Sequence, residues 1–297
     1  NYTDRQLKEP TTNIELGTWY LGHLLKEFNG DEVQALAAYN AGRGHVESWL
    51  HENKWNGMAD TIPFPETRSY VKAVLQYQER YETIIEACKG LDYSWLPQSI
   101  EGFTLVTSSE SDYTELANRI EGGEKVLRVP IFHYQNDLGW RWSALYDKEV
   151  EDYTVHIEMP LFSFVDISFV RADLESFWNG LKERCVKGLI NMLIEPSNNF
   201  TFTYRRRGIP TWDFSEVMPE ELEGFVRDID PAHGIRMING SFIIGEYRKM
   251  DECTGLLLYY NELRDEYFAE LRYKSYPEID HHLDAKNLDD LADVLRE

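Results

Sequence analysis

The spacing of apolar residues changes once along this chain, at Lys89-Gly90. Up to Ile85 apolar side chains recur at three- and four-residue steps, the period of helices with one buried face; beyond Gly90 they gather into short strand-like runs. That change predicts a multidomain chain, an α-helical region over 1–88 followed by an α+β domain over 91–297. The 297 residues are long enough for two cores. Charge divides at the same place: residues 1–90 carry about −4 and residues 91–297 the other −18 of a total of −22. So acidic a chain repels phosphate backbones, which excludes nucleic acid as a partner of the whole.

Four helices are predicted in the first part. Ile14, Leu16, Tyr20, Leu21, Leu24, Leu25 and Phe28 form one stripe, with Asn13 as N-cap and Asn29-Gly30 as the stop. Val33, Leu36, Ala37 and Tyr39 mark a second helix ended by Gly42 and Gly44, and Val46, Trp49 and Leu50 a short third. Ile62-Pro63-Phe64-Pro65 must be extended, because proline fixes φ and restricts the residue before it. A fourth helix covers Thr67–Ile85, with Tyr70, Val71, Val74, Leu75, Tyr77, Tyr81 and Ile84 inward.

Three ordered blocks carry a specific resemblance: Asn-Ile-Glu-Leu-Gly-Thr-Trp-Tyr-Leu (13–21), Ala-Leu-Ala-Ala-Tyr-Asn-Ala-Gly-Arg-Gly (35–44) and Ile-Pro-Phe-Pro-Glu-Thr-Arg-Ser-Tyr-Val (62–71). Residues 1–88 resemble the later half of the catalytic domain of soluble lytic transglycosylases, lysozyme-like enzymes that cleave the peptidoglycan glycan strand. The resemblance implies a cell-envelope location, a glycan-strand partner, and substrate-binding roles for Tyr39, Asn40, Glu66 and Tyr70. An Asn offers donor and acceptor to N-acetyl groups, and a Tyr a stacking face and a hydroxyl.

The family's catalytic acid is a Glu followed by Ser, upstream of a Gly-Leu-Met-Gln segment. Neither lies between Asn1 and Asn13, so no catalytic residue is assigned, and the chain by itself is expected to cleave little or no peptidoglycan. Without that half, the stripe of Ile14, Leu21, Leu24, Leu36 and Val74 is expected to be buried against the rest of the chain, a missing segment or a second copy.

In residues 91–297, Phe103–Thr107, Lys125–Tyr134 and Leu138–Tyr146 read as strands, and Tyr153–Val170 as a β-rich stretch broken at Pro160. The stripe Leu174, Phe177, Trp178, Leu181, Cys185, Leu189, Leu193 reads as a helix, Asn199–Tyr204 as a strand, and Asn239-Gly240 as a hairpin turn. Helices are predicted over Thr254–Lys274 and Leu288–Arg296. His156 and Glu158 would share a strand face, His281-His282 would lie in a loop, and Arg205-Arg206-Arg207 would end a strand. Trp140, Trp142, Trp178 and Trp212 read as core and turn residues. Cys88, Cys185 and Cys253 are widely spaced and form no CxxC pair, so neither a zinc site nor a disulfide framework is indicated. No metal or cofactor is implied.

No apolar run approaches the roughly 20 residues of a membrane helix. The polar start Asn-Tyr-Thr-Asp-Arg lacks the pattern of a signal peptide, and without an initiator Met the chain reads as a processed form. Three functions stay open at this level: a lytic transglycosylase completed elsewhere, a non-catalytic glycan-binding module, and an acidic protein-binding module, resembling immunity or inhibitor proteins, in 91–297.

Overall fold

The computed structural model describes residues 9–121, 126–249, 254–273 and 276–296. Cys253 and the side chains of Tyr77 and Tyr81 lie outside this description. The chain forms two compact units. The first comprises 1–92 and 108–129, the second 93–107 and 130–297.

The first unit contains α1 (Pro10–Glu27), α2 (Glu32–Ala41), α3 (Arg43–His51), α4 (Pro65–Lys89) and α5 (Glu110–Glu121). Helix α1 starts three residues before the expected cap: Pro10 occupies its first turn, and Asn13 N–H already donates to Glu9. Asp31 caps α2 by accepting from Gln34 N–H at 2.9 Å, and Gly42 at φ 95° turns the chain from α2 into α3. The core holds Leu24, Leu36, Val46, Trp49, Ile62 and Val71, with Leu21 and Val74 packed on it. Ile14 departs from the expected stripe and is 54% exposed. Helix α5 contributes the buried Tyr113; burial pushes the Cys88 thiol up to about 12, with Tyr113 opposing the rise, so the thiol packs as an inert apolar group.

The second unit holds two antiparallel sheets. One runs β1 (Ser99–Ile100), β2 (Phe103–Thr107), β3 (Arg128–Gln135), β4 (Arg141–Asp147), β5 (Asp152–Glu158), β6 (Ser163–Val165) in sequence order. Helix α6 (Leu174–Leu189) follows, lays Phe177, Trp178, Leu181 and Cys185 on the apolar face of this sheet, and continues as a π turn at Ile190–Ile194. The short helix α7 (Phe202–Arg206) leads on. The second sheet runs β7 (Glu221–Leu222), β8 (Phe225–Ile229), β10 (Ser241–Arg248), β11 (Thr254–Asn261), β12 (Glu266–Tyr273), β13 (Tyr276–Ala285), with β9 (Ile235–Arg236) paired to β10. Helix α8 (Leu288–Arg296) closes the chain and seats Leu291 in the second core.

The two sheets repeat one another in detail. Ile100-Glu101-Gly102-Phe103 and Leu222-Glu223-Gly224-Phe225 are the same tight turn, with Glu and Gly at positive φ in both. Tyr134 donates its hydroxyl to Pro97 C=O at 2.8 Å, and Tyr247 does the same to Pro219 at 2.7 Å. Tyr146 pairs with Tyr153 across one hairpin and Tyr260 with Tyr267 across the other, with ring centroids 5.1 and 5.0 Å apart. The loops between them end on Glu151 and Asp265, both left-handed. Tyr153 then bridges to Arg171 where Tyr267 bridges to Ala285, and Asp173 and Asn287 cap the closing helices.

Three expectations are corrected. Thr254–Lys274 is not a helix but β11 and β12: Leu256, Leu258 and Tyr260 face α8 while Leu257 and Tyr259 are buried on the other side, so no alternation marks the strand. Asn199–Tyr204 is a 3₁₀ turn leading into α7, where the Thr201 hydroxyl accepts from Tyr204 N–H at 3.2 Å. His281-His282 lies within β13 rather than in a loop. Trp142 is fully buried against Phe132 and Phe169. Its replacement by Ala is expected to cost about 3–5 kcal/mol, read as a lower urea midpoint.

Candidate functional site

The exposed aromatic surface of the first unit is built where α1 and α2 pack. Gly17 on α1 makes room for it: a Cβ there would lie 2.6 Å from the Tyr39 hydroxyl. Tyr39 is thus held against α1 yet stays 38% exposed, and its ring lies 5.9 Å from that of Tyr20. Tyr20, expected inside, is itself 36% exposed. Tyr70 on α4 completes the group. Its phenol is raised from the ordinary value, first by burial and then by the charge of Tyr39.

Asn40 follows Tyr39 and is exposed; Glu66 is exposed in the first turn of α4, one helical turn before Tyr70. Among the described residues neither side chain makes a hydrogen bond or ion pair. The approach to α4 is fixed by Arg68, whose Nε and Nη2 donate to Ile62 C=O at 2.9 and 2.6 Å, and by Phe64, which meets Trp49 at 4.8 Å and His45 at 5.2 Å. Arg43 stands between Glu27 at 2.8 Å and Glu47 at 2.9 Å, joining α3 to the end of α1. The structure therefore groups Tyr20, Tyr39 and Tyr70 and leaves Asn40 and Glu66 open to solvent. Tyr20 and the stacked pair Trp19–His23, ring centroids 5.8 Å apart, are the features the sequence-based list lacks. Their signal was the Thr18-Trp19-Tyr20 run, where adjacent aromatics cannot all share one buried stripe.

The polar groups of the second unit are mostly paired. His156 and Asp147 form a buried pair at 3.3 Å, and Glu158 accepts from the Ser143 hydroxyl at 2.7 Å. Burial, and after it the Arg141 charge, lowers the His133 imidazole below its ordinary value. Of the three arginines, Arg207 pairs with Asp265, Arg205 lies over Phe200 and Arg206 over Phe202, so they brace their own surroundings. Among the described residues no group of three His, Cys, Asp or Glu could hold a metal ion. No helix there is long and apolar enough to cross a membrane.

Comparison with known proteins places the N-terminal region in a class. Residues 1–62 match the transglycosylase SLT domain, and residues 61–89 match the soluble lytic transglycosylase helical domain. Among individual proteins, the chain is similar to the soluble lytic murein transglycosylase of Salmonella typhimurium, 45% identical over 96 residues, which is 30% of this chain and 15% of the relative. It is also similar to that of Escherichia coli K12, 42% identical over 80 residues, 26% of this chain and 12% of the relative. A putative soluble lytic murein transglycosylase of Haemophilus influenzae is 35% identical over 85 residues, 27% of this chain and 14% of the relative. The chain thus spans about one seventh of the length of these relatives. No solved structure matches it.

Proposed function

We propose that the first unit is one wall of a lysozyme-like glycan cleft, in a peptidoglycan lytic transglycosylase-like protein acting outside the cytoplasm. The observation that carries this reading is the exposed pair Tyr20–Tyr39 within the residues matched to the transglycosylase SLT domain, with the partly buried Tyr70 beside it in the residues matched to the helical domain. Tyr39 stacks on a sugar ring, Asn40 bonds an N-acetyl group, and Glu66 and Tyr70 contact sugar and peptide further along. The reaction is cleavage of the MurNAc–GlcNAc bond with formation of a 1,6-anhydro ring. A carboxylic acid protonates the glycosidic oxygen as that bond breaks, and the muramoyl 6-hydroxyl closes on the anomeric carbon and gives its proton to the carboxylate so formed. Among the described residues Glu15 and Glu66 are open to water and Glu27 is tied to Arg43. No catalytic acid is therefore assigned among these glutamates, and residues 1–297 by themselves bind strands without cutting them.

Residues 91–297, of which 108–129 belong to the first unit, supply an acidic surface for a basic protein partner; their −18 charge favours that reading. Co-sedimentation with purified sacculi tests the glycan reading. The chain is expected to pellet with sacculi, and Tyr39→Ala to weaken the association about tenfold through loss of the stacking face. Equal pelleting of wild type and Tyr39→Ala, with folding unchanged, would remove the proposed role of Tyr39. Failure of the wild type to pellet would overturn the glycan-binding reading altogether. Retention of a basic protein in pull-down by the chain, lost in 0.5 M salt, tests the acidic module independently.

A further inference from the structure

The two sheets repeat, but their cores are not equally filled. In the first copy the space between sheet and closing helix is taken by large rings. Trp95 and Tyr93 stand edge-on to Trp178, with centroids 5.4 and 5.6 Å away, and Phe169 stands edge-on to Trp142 at 5.3 Å. The shared turns, the shared Tyr-to-Pro hydrogen bond and the paired hairpins fix which residue of the second copy stands at each of these positions. Val217 takes the place of Trp95, Leu256 of Trp142, Leu283 of Phe169 and Ala292 of Trp178. Each is smaller.

Three of those four residues line a cavity of about 590 Å³ between the second sheet and α8. Its wall is mostly apolar: Val217, Leu256 and Leu283 are joined by Met218, Leu258 and Leu295. That volume falls within the range of small-molecule sites, which are chiefly apolar with a few polar groups to orient the ligand. Its charged lining residues are Glu223, Glu278 and Arg272. Arg272 is already paired with Glu270 at 2.5 Å, and among the described residues no cation is paired with Glu223 or Glu278. The described lining therefore includes two carboxylates with no paired cation among the described residues.

We infer that this cavity binds a planar aromatic molecule of one or two rings, neutral or positively charged, in the space that the first copy fills with its own tryptophans. The inference is independent of the glycan reading of the first unit. Ligand burial there removes apolar wall from water, the same drive that buries Trp142 and Trp178 in the first copy. A carboxylate-bearing ring would meet the carboxylates of Glu223 and Glu278 in the lining and lose affinity.

Ligand-observed saturation-transfer NMR on the full chain tests this, with indole, tryptamine and indole-3-acetate as probes. Indole and tryptamine are expected to bind saturably, and indole-3-acetate about tenfold more weakly than tryptamine. Leu256→Trp and Val217→Trp each install the ring that the first copy has, and each is expected to weaken indole binding tenfold or more. Their thermal midpoints are expected at or above that of the wild type, because the ring fills space that is empty of protein atoms. Phe202→Ala, at a position 77% exposed on α7 and outside the cavity lining, is expected to bind as the wild type does. Absence of saturable indole binding to the wild type overturns the inference. So does wild-type affinity in a folded Leu256→Trp or Val217→Trp variant, or equal affinity for indole-3-acetate and tryptamine.

Discussion

Incubated with peptidoglycan sacculi, the chain Asn1–Glu297 is expected to release no 1,6-anhydromuropeptides above background. Protonation of the glycosidic oxygen in the transition state is worth roughly 10²–10⁴ in rate. Such an acid needs a carboxyl shielded from water near the scissile bond, with a pKa raised into the working range. The glutamates beside the exposed tyrosines do not meet that description: Glu15 and Glu66 are exposed, and Glu27 is joined to Arg43 at 2.8 Å. Addition in cis of a segment bearing the family's Glu-Ser and Gly-Leu-Met-Gln elements is expected to raise activity by at least that roughly 10²–10⁴ factor. Chromatography of released muropeptides gives the readout. Anhydro products from the chain as it stands would show that one of its own carboxylates serves, and Glu66→Gln would then be the first variant to make.

Stability is expected to fall as pH rises through the neutral range, and Glu246 is the reason. Its side chain is fully buried on β10, and among the described residues neither carboxyl oxygen has a hydrogen-bond partner. Burial is the main cause that pushes its carboxyl up to about 8; Asp228 adds to the rise, and Arg248, itself paired with Asp228, opposes it. In the folded chain Glu246 therefore holds its proton up to about pH 8, whereas in the unfolded chain it loses it near 4.5. Between those values the native state binds the extra proton. The stabilisation is complete below about pH 4.5 and is lost as pH climbs through 8, by up to about 1.4 kcal/mol per unit. The whole chain carries −22, and its self-repulsion pushes the same way, so the comparison with Glu246→Gln isolates this one group. Urea midpoints between pH 5 and 9 are expected to fall more steeply in the wild type than in that variant. Parallel curves would mean that the carboxylate is ionised in the native state throughout.

What could be read in advance follows from which patterns survive in one dimension. Helices α1–α4 were legible because each buries one stripe and each is bounded by Pro, Asp or Gly. The turn at Asn239-Gly240 was legible because the tight turn needs one left-handed residue and Gly supplies it; Gly240 takes φ 76°, and Met237 N–H bonds Ser241 C=O at 2.8 Å. Strands β11 and β12 were not. In Leu256-Leu257-Leu258-Tyr259-Tyr260 both faces are covered, and a run buried on both sides has no period to detect. The candidate site was legible as residue types and order, from blocks shared with a family, while the exposure of Tyr20 and the space left for Tyr39 by Gly17 depend on how two helices cross. The repeat in the second unit left short written traces, Ile100-Glu101-Gly102-Phe103 against Leu222-Glu223-Gly224-Phe225 and the Pro and Tyr residues at matched places. These are too scattered to read as a repeat without the strand register that lines them up.

That repetition bears on how the chain reaches its native state. The strands β3 to β6 and β10 to β13 follow one another as hairpins, so each copy is assembled from loop closures of a few residues and needs little from its twin. Yet two hairpins of identical register, each with a tyrosine pair at its tip, also offer strands that could zip onto the wrong partner, a hazard typical of tandem modules on one polypeptide. At matched positions the first core carries Trp95, Trp142, Phe169 and Trp178 and the second Val217, Leu256, Leu283 and Ala292, so crossed pairings pack badly there, through overcrowding on one side and a void on the other. The drift of the two cores away from each other thus acts as proofreading, telling each strand during collapse which sheet is its own.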